Sequence, residues 1–168
     1  MKIGKIITIL LSICFFNTYA QNDKSYRDEF MLKLPVDGKQ FYEQKVDKSP
    51  YFVKDKILQI YSGEKLFIEV EITQNKITSM KVVKENLNPK KTIKVELTQE
   101  VKDSMSESMI LKIENPFKKD LDYKAMMFIV GQNKWIQTNV LPIKAKLSSF
   151  EIWSDVIITM VLSDWNLK

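Results

Sequence analysis

The side chains able to do chemistry in this chain are carboxylates, serines, lysines and tyrosines. Histidine is absent, and the single cysteine, Cys14, lies in an apolar N-terminal run. If that run is a removed leader, Ser-His-Asp and Cys-His nucleophilic systems are excluded from what remains, as are zinc, copper and haem sites built on those ligands. Ser62-Gly63-Glu64-Lys65 has the Ser-x-x-Lys spacing that sets a serine beside a lysine base on one helical face. Gly63 and the alternating run Leu66–Ile72 after it mark a hairpin turn instead, and the companion motifs Ser-Asp-Asn and Lys-Thr-Gly are missing. No catalytic residue is assigned.

A pair of carboxylates hydrolyses glycosides when the two stand about 5–9.5 Å apart and one is held protonated. Glu151, Asp155 and Asp164 flank Trp153 and Trp165, and flat indole faces stack on sugars or anchor a protein partner. The candidate ligand-binding set is therefore Trp153, Trp165, Asp155 and Asp164. Trp165, in the polar tail Ser163-Asp164-Trp165-Asn166, and Trp153, near a strand entrance, are expected to show a surface, and Trp135 to be half-buried. The same acids beside strand ends also serve turns and solubility. Asp120-Leu121-Asp122 offers oxygens, but no calcium-loop pattern surrounds it, so neither a metal nor another cofactor is expected. Met126-Met127-Phe128 reads as adaptable core filler.

The elements that must position these groups are strands. Apolar residues recur with period two in Leu66–Ile72, Ile93–Leu97, Met109–Ile113 and Tyr123–Val130, the spacing of a sheet with one dry face. A further long strand is expected over Val156–Leu162, and weaker ones near Phe30–Leu34, Ile57–Tyr61, Ile77–Val83, Trp135–Thr138 and Val140–Lys144. Turn signals separate them, with Gln74-Asn75 and Gln132-Asn133 read as tight hairpin connections. Gln99–Ser108 is expected to form one helical turn. Many short strands without helices to cover parallel crossovers predict an all-β, antiparallel β-sandwich, with a β-barrel as the alternative.

Lys2 and Lys5, the apolar run Ile6–Phe16 and Asn17-Thr18-Tyr19-Ala20 have the three parts of a secretory signal. The expected organisation is a signal peptide over 1–20, a flexible lead-in over 21–27 and a single domain over 28–168. The compartment is then the periplasm or the exterior, with no transmembrane segment after cleavage. Without Lys2 and Lys5 the chain has 24 basic against 21 acidic residues, a net charge of +3. Arg27 is its single arginine, and arginine is what bidentate phosphate and guanine recognition favours, so no nucleic-acid partner is expected.

Glu114-Asn115-Pro116-Phe117, Leu121-Asp122-Tyr123-Lys124-Ala125, Trp135, Pro142 and Leu147-Ser148-Ser149-Phe150-Glu151-Ile152-Trp153, with a leader ending Ala20-Gln21, resemble small exported immunoglobulin-like proteins of Bacteroidota. The resemblance covers the C-terminal half and the leader, and implies an immunoglobulin-like sandwich and an exported location without supplying an active site. The Cys…Trp…Cys pattern of antibody domains is absent. The function expected is a non-enzymatic binding or interaction module with a protein or glycan partner. A small carboxylate-dependent glycoside hydrolase or carbohydrate-binding protein, or an accessory subunit of an envelope complex, are the alternatives.

Overall fold

The structure, a computed structural model, describes residues 22–168. The leader reading and Cys14 lie outside the described residues. Among the described residues run fourteen strands: β1 (Tyr26–Arg27), β2 (Phe30–Pro35), β3 (Phe41–Val46), β4 (Ser49–Pro50), β5 (Phe52–Lys54), β6 (Ile57–Tyr61), β7 (Lys65–Thr73), β8 (Lys76–Val83), β9 (Thr92–Lys102), β10 (Met105–Glu114), β11 (Leu121–Ile129), β12 (Ile136–Thr138), β13 (Ser148–Trp153) and β14 (Ile157–Leu167).

Two five-stranded antiparallel sheets dominate, one ordered β13-β10-β9-β7-β8 and the other β12-β11-β14-β6-β5. The fold is all-β and antiparallel as expected, and neither sheet closes on itself, which removes the barrel alternative. Period-two alternation explains how the sheets meet. In β7, Leu66, Ile68 and Val70 turn inward while Glu69 and Glu71 face Lys81 and Lys91 outside. Leu58, Ile60, Leu121, Ala125, Met160 and Leu162 of the second sheet pack in one cluster with Ile68, Val95, Leu97, Leu111 and Ile113 of the first. Each such side chain contributes about 1.5–3 kcal/mol by leaving water.

The run Ile157-Ile158-Thr159-Met160 is buried at every position, which a strand with one wet face cannot be. The β2–β3 ribbon supplies the second cover: Leu32, Leu34 and Val46 pack on Val156 and Ile158 over the outer face of the second sheet. The ribbon's outward side carries the ion pair Lys33–Glu43.

Three local expectations are corrected. Gln99–Ser108 contains no helical turn; β9 and β10 form a hairpin through Asp103 and Ser104, both left-handed at φ 50° and 62°. Gln132-Asn133 is not a tight hairpin connection but part of a six-residue link, 130–135, between β11 and β12. Val140–Lys144 is no strand, only a bridge from Ile143 to Leu121. Gln74-Asn75, by contrast, closes the β7–β8 hairpin with φ 51° and 63°, the geometry its residue types favour.

The segment read as a lead-in makes defined contacts. Asn22 bonds Glu85 through side chain and backbone, Lys24 donates to the Val82 carbonyl, and Tyr26–Arg27 pair with Ser49–Pro50. Residues 22–24 therefore lie against one end of β8, and Tyr26–Arg27 are joined to β4.

Candidate functional site

Arg27 and the Ser-x-x-Lys segment meet. The guanidinium is buried and makes five bonds, from Nε to Glu64 Oε1, from Nη1 to Ser49 Oγ and the Pro50 carbonyl, and from Nη2 to the Gln59 carbonyl and Glu64 Oε2. Arginine carries five N–H donors. None is left for a ligand. The rings of Tyr51 and Tyr61 lie 4.6 and 5.0 Å from the guanidinium carbon.

Ser62-Gly63-Glu64 joins β6 of one sheet to β7 of the other, so it is an inter-sheet corner and not the hairpin expected. Ser62 is buried with its hydroxyl donating to the Ile157 carbonyl, Gly63 N donates to the Leu97 carbonyl at 2.7 Å, and Glu64 Oε2 also accepts from Tyr61 N. Lys65 pairs outside with Glu96. No serine–lysine dyad forms. A cleft of about 730 Å³ opens beside this corner, walled by Phe30, Leu34, Leu66 and Val101, and Arg27 at its floor is already saturated.

The candidate set is divided between the two ends of β14. Asp155 is exposed in the β13–β14 link, nine positions before Asp164 on nearly continuous strand, a span on the order of 25–30 Å at strand rise. That is far beyond the spacing of a glycosidase pair. Glu151 accepts from Leu141 N at 3.0 Å.

Trp165 is buried at 3% exposure, a correction to the expected surface indole. Its ring stacks on Tyr123 with centroids 5.4 Å apart, so the face a sugar would need is covered. The polar neighbours mislead because Asp164 adopts φ 54° at a register shift against β11, which turns the next side chain inward. Trp165 Nε1 and the Tyr123 hydroxyl are both buried without a hydrogen-bond partner. Burial first, and the Glu151 carboxylate second, push the Tyr123 hydroxyl well above the usual tyrosine range.

Asp122 and Asp164 do line one cleft, of about 540 Å³, with Lys124 and Trp165. Each is ion-paired, Asp164 with Lys124 at 2.8 Å and Asp122 with Lys168. A general acid requires a carboxyl shielded from cations, the reverse of this lining. Asp120 is spent on Lys144 Nζ at 2.8 Å and Ala145 N at 3.0 Å, contacts that hold its carboxyl below the usual range. No group of three metal-ligating side chains occurs among the described residues.

Trp153 is half-buried, its Nε1 donating to Thr138 Oγ1 at 3.1 Å and so tying β13 to β12 across the two sheets. Trp135 is 40% exposed against Phe128, and Met126, read as core filler, faces outward at 39% while Met127 is buried.

The neighbours of Trp153 form a feature the residue types alone did not reveal. β13 is the edge of its sheet, paired only with β10, and among the described residues no other backbone group bonds the main chain of Ser148–Trp153, Leu141 N reaching only the Glu151 side chain. Phe150 and Ile152 on its outer face are 59% and 63% exposed, and Leu147 and Leu141 nearby 58% and 74%. A cluster of apolar side chains at an open strand edge is what protein-binding surfaces present. The sequence signal was present as the alternation Ser148, Phe150, Ile152, but only the sheet order shows that this strand is an edge, and only the fold of the described residues leaves Phe150 and Ile152 exposed.

The chain matches no family model, no curated protein and no solved structure.

Proposed function

We propose that this protein is an exported, non-enzymatic interaction module whose contact surface is the β13 edge, with the periplasm or the exterior as its compartment. The observation that carries the reading is the open backbone of β13 flanked by exposed Phe150 and Ile152. Two facing antiparallel sheets support an immunoglobulin-like sandwich as the fold type. The hydrolase alternative loses support because Asp155 and Asp164 stand at opposite ends of β14 and Asp164 is tied to Lys124. Sugar stacking on Trp165 loses support because the ring is buried on Tyr123. An accessory role in an envelope complex is one form of the same proposal.

The test pairs a turnover screen with a binding comparison. The exported chain is offered a panel of glycans and peptides, and its capture of envelope proteins is compared with that of Ile152→Lys. Capture that Ile152→Lys abolishes, with no turnover, is expected. Turnover lost on replacing one carboxylate overturns the reading.

A further inference from the structure

The edges of the first sheet are unequal. At β8, residues 22–24 already lie against the strand end through Lys24 N to the Val82 carbonyl and Lys84 N to the Asn22 carbonyl, and Lys76 and Lys81 stand exposed along it. Lysines and covering segments are how natural edges refuse further pairing. In the second sheet, the edge strands β5 and β12 are three residues long. β13 has six residues, no lysine, no proline and no bulge against β10.

We infer that β13 is completed by β13 of a second copy of this chain, antiparallel across a two-fold axis near Phe150. The inference rests on the interaction reading above and names its partner. In that register Phe150 meets Phe150 of the other copy, Ser148 meets Ile152, and Ser149 meets Glu151. Glu151 is the one ionisable side chain on the strand and faces a serine, so no like charges oppose one another.

The flanking charge is already neutralised within each copy. Lys112 Nζ lies 5.7 Å from the Phe150 ring centre and 3.0 Å from Glu114, which also pairs with Lys94 at 2.7 Å. Taking 150–250 Å² for a fully exposed large side chain, Leu141, Leu147, Phe150 and Ile152 offer on the order of 400 Å² per copy. Two copies, with the strand backbones, reach the roughly 1,000 Å² of a small specific interface. Because a two-fold pairing uses the same edge of both copies, pairing through β13 closes at two copies and does not propagate into a fibre.

The experiment uses the protein purified after export, wild type and variants, by sedimentation equilibrium and mild oxidation. A dimer with a dissociation constant on the order of micromolar is expected for so small an interface. Phe150→Lys with Ile152→Lys is expected to weaken it at least tenfold, and Lys81→Glu on β8 to leave it unchanged. Phe150→Cys is expected to give a disulfide-linked dimer, since paired Cα atoms lie about 4.5–5.5 Å apart, while Lys81→Cys stays monomeric.

A wild type monomeric to about a hundredfold above that range overturns the second-copy inference, as does a dimer insensitive to the Phe150 and Ile152 changes. If a monomer still loses a different captured protein on Ile152→Lys, the interaction reading stands and the second copy alone is wrong.

Discussion

Arg27 Nε stands 3.0 Å from Glu64 Oε1, with the arginine side chain 1% and the glutamate 13% exposed, and this pair fastens the N-terminal segment to the inter-sheet corner. The two residues are 37 positions apart. Five bonds and two tyrosine rings converge on one guanidinium, so it acts as a structural clamp.

Removing one partner of a buried ion pair strands the other. Arg27→Met is expected to lower stability by about 3–5 kcal/mol, measured by urea unfolding, and Arg27→Lys to recover only part because lysine has three donors in place of five. A loss under about 1 kcal/mol for Arg27→Met would show that the clamp contributes little beyond a surface pair.

Gly63 turns the corner at φ 90°, and a Cβ added there would meet nothing within 4 Å. Gly63→Ala is therefore expected to cost about 1–2 kcal/mol through backbone strain alone, with Gly63→Asn costing less. Equal losses for both would point to a steric cause that this open corner does not contain.

Tyr123 links pH to stability at the alkaline end. Its folded-state value is raised, so the neutral hydroxyl is favoured by folding; the stabilisation is complete below the unfolded value near 10 and is lost as pH rises above it. Unfolding followed between pH 8 and about 11.5 is expected to show stability falling in the wild type. The fall should flatten in Tyr123→Phe, which at pH 7 changes stability by less than about 1 kcal/mol because the hydroxyl lacks a partner. An unchanged alkaline slope in Tyr123→Phe contradicts this assignment.

Strands announced by strict alternation were legible in the residues. Leu66–Ile72 sits inside β7 and Ile93–Leu97 inside β9, and the weaker signal near Ile57–Tyr61 is β6. What escaped depends on contacts distant in sequence. Asp103-Ser104 reverses the chain without a glycine, so the turn carried no strong local mark. The lead-in looked polar and loose because its anchor, Arg27, finds Glu64 and the Gln59 carbonyl only after the sheets have assembled. Trp165 is carried inward by a bulge at Asp164 that its polar neighbours conceal. Of the four candidate site residues, Asp155 and Asp164 are exposed, Trp153 is half-buried and Trp165 is core. The β13 edge was hidden because exposure belongs to the order of strands.

The central claim is that this edge is where the protein meets its partner. The most direct measurement places a photo-crosslinking amino acid at Ile152 and, separately, at Lys81 on β8, and irradiates intact cells producing the protein. Adducts from position 152 and none from position 81 are predicted, with self-adducts reporting the second copy and heterologous adducts another partner. No adduct from 152, or equal adducts from both positions, contradicts the claim.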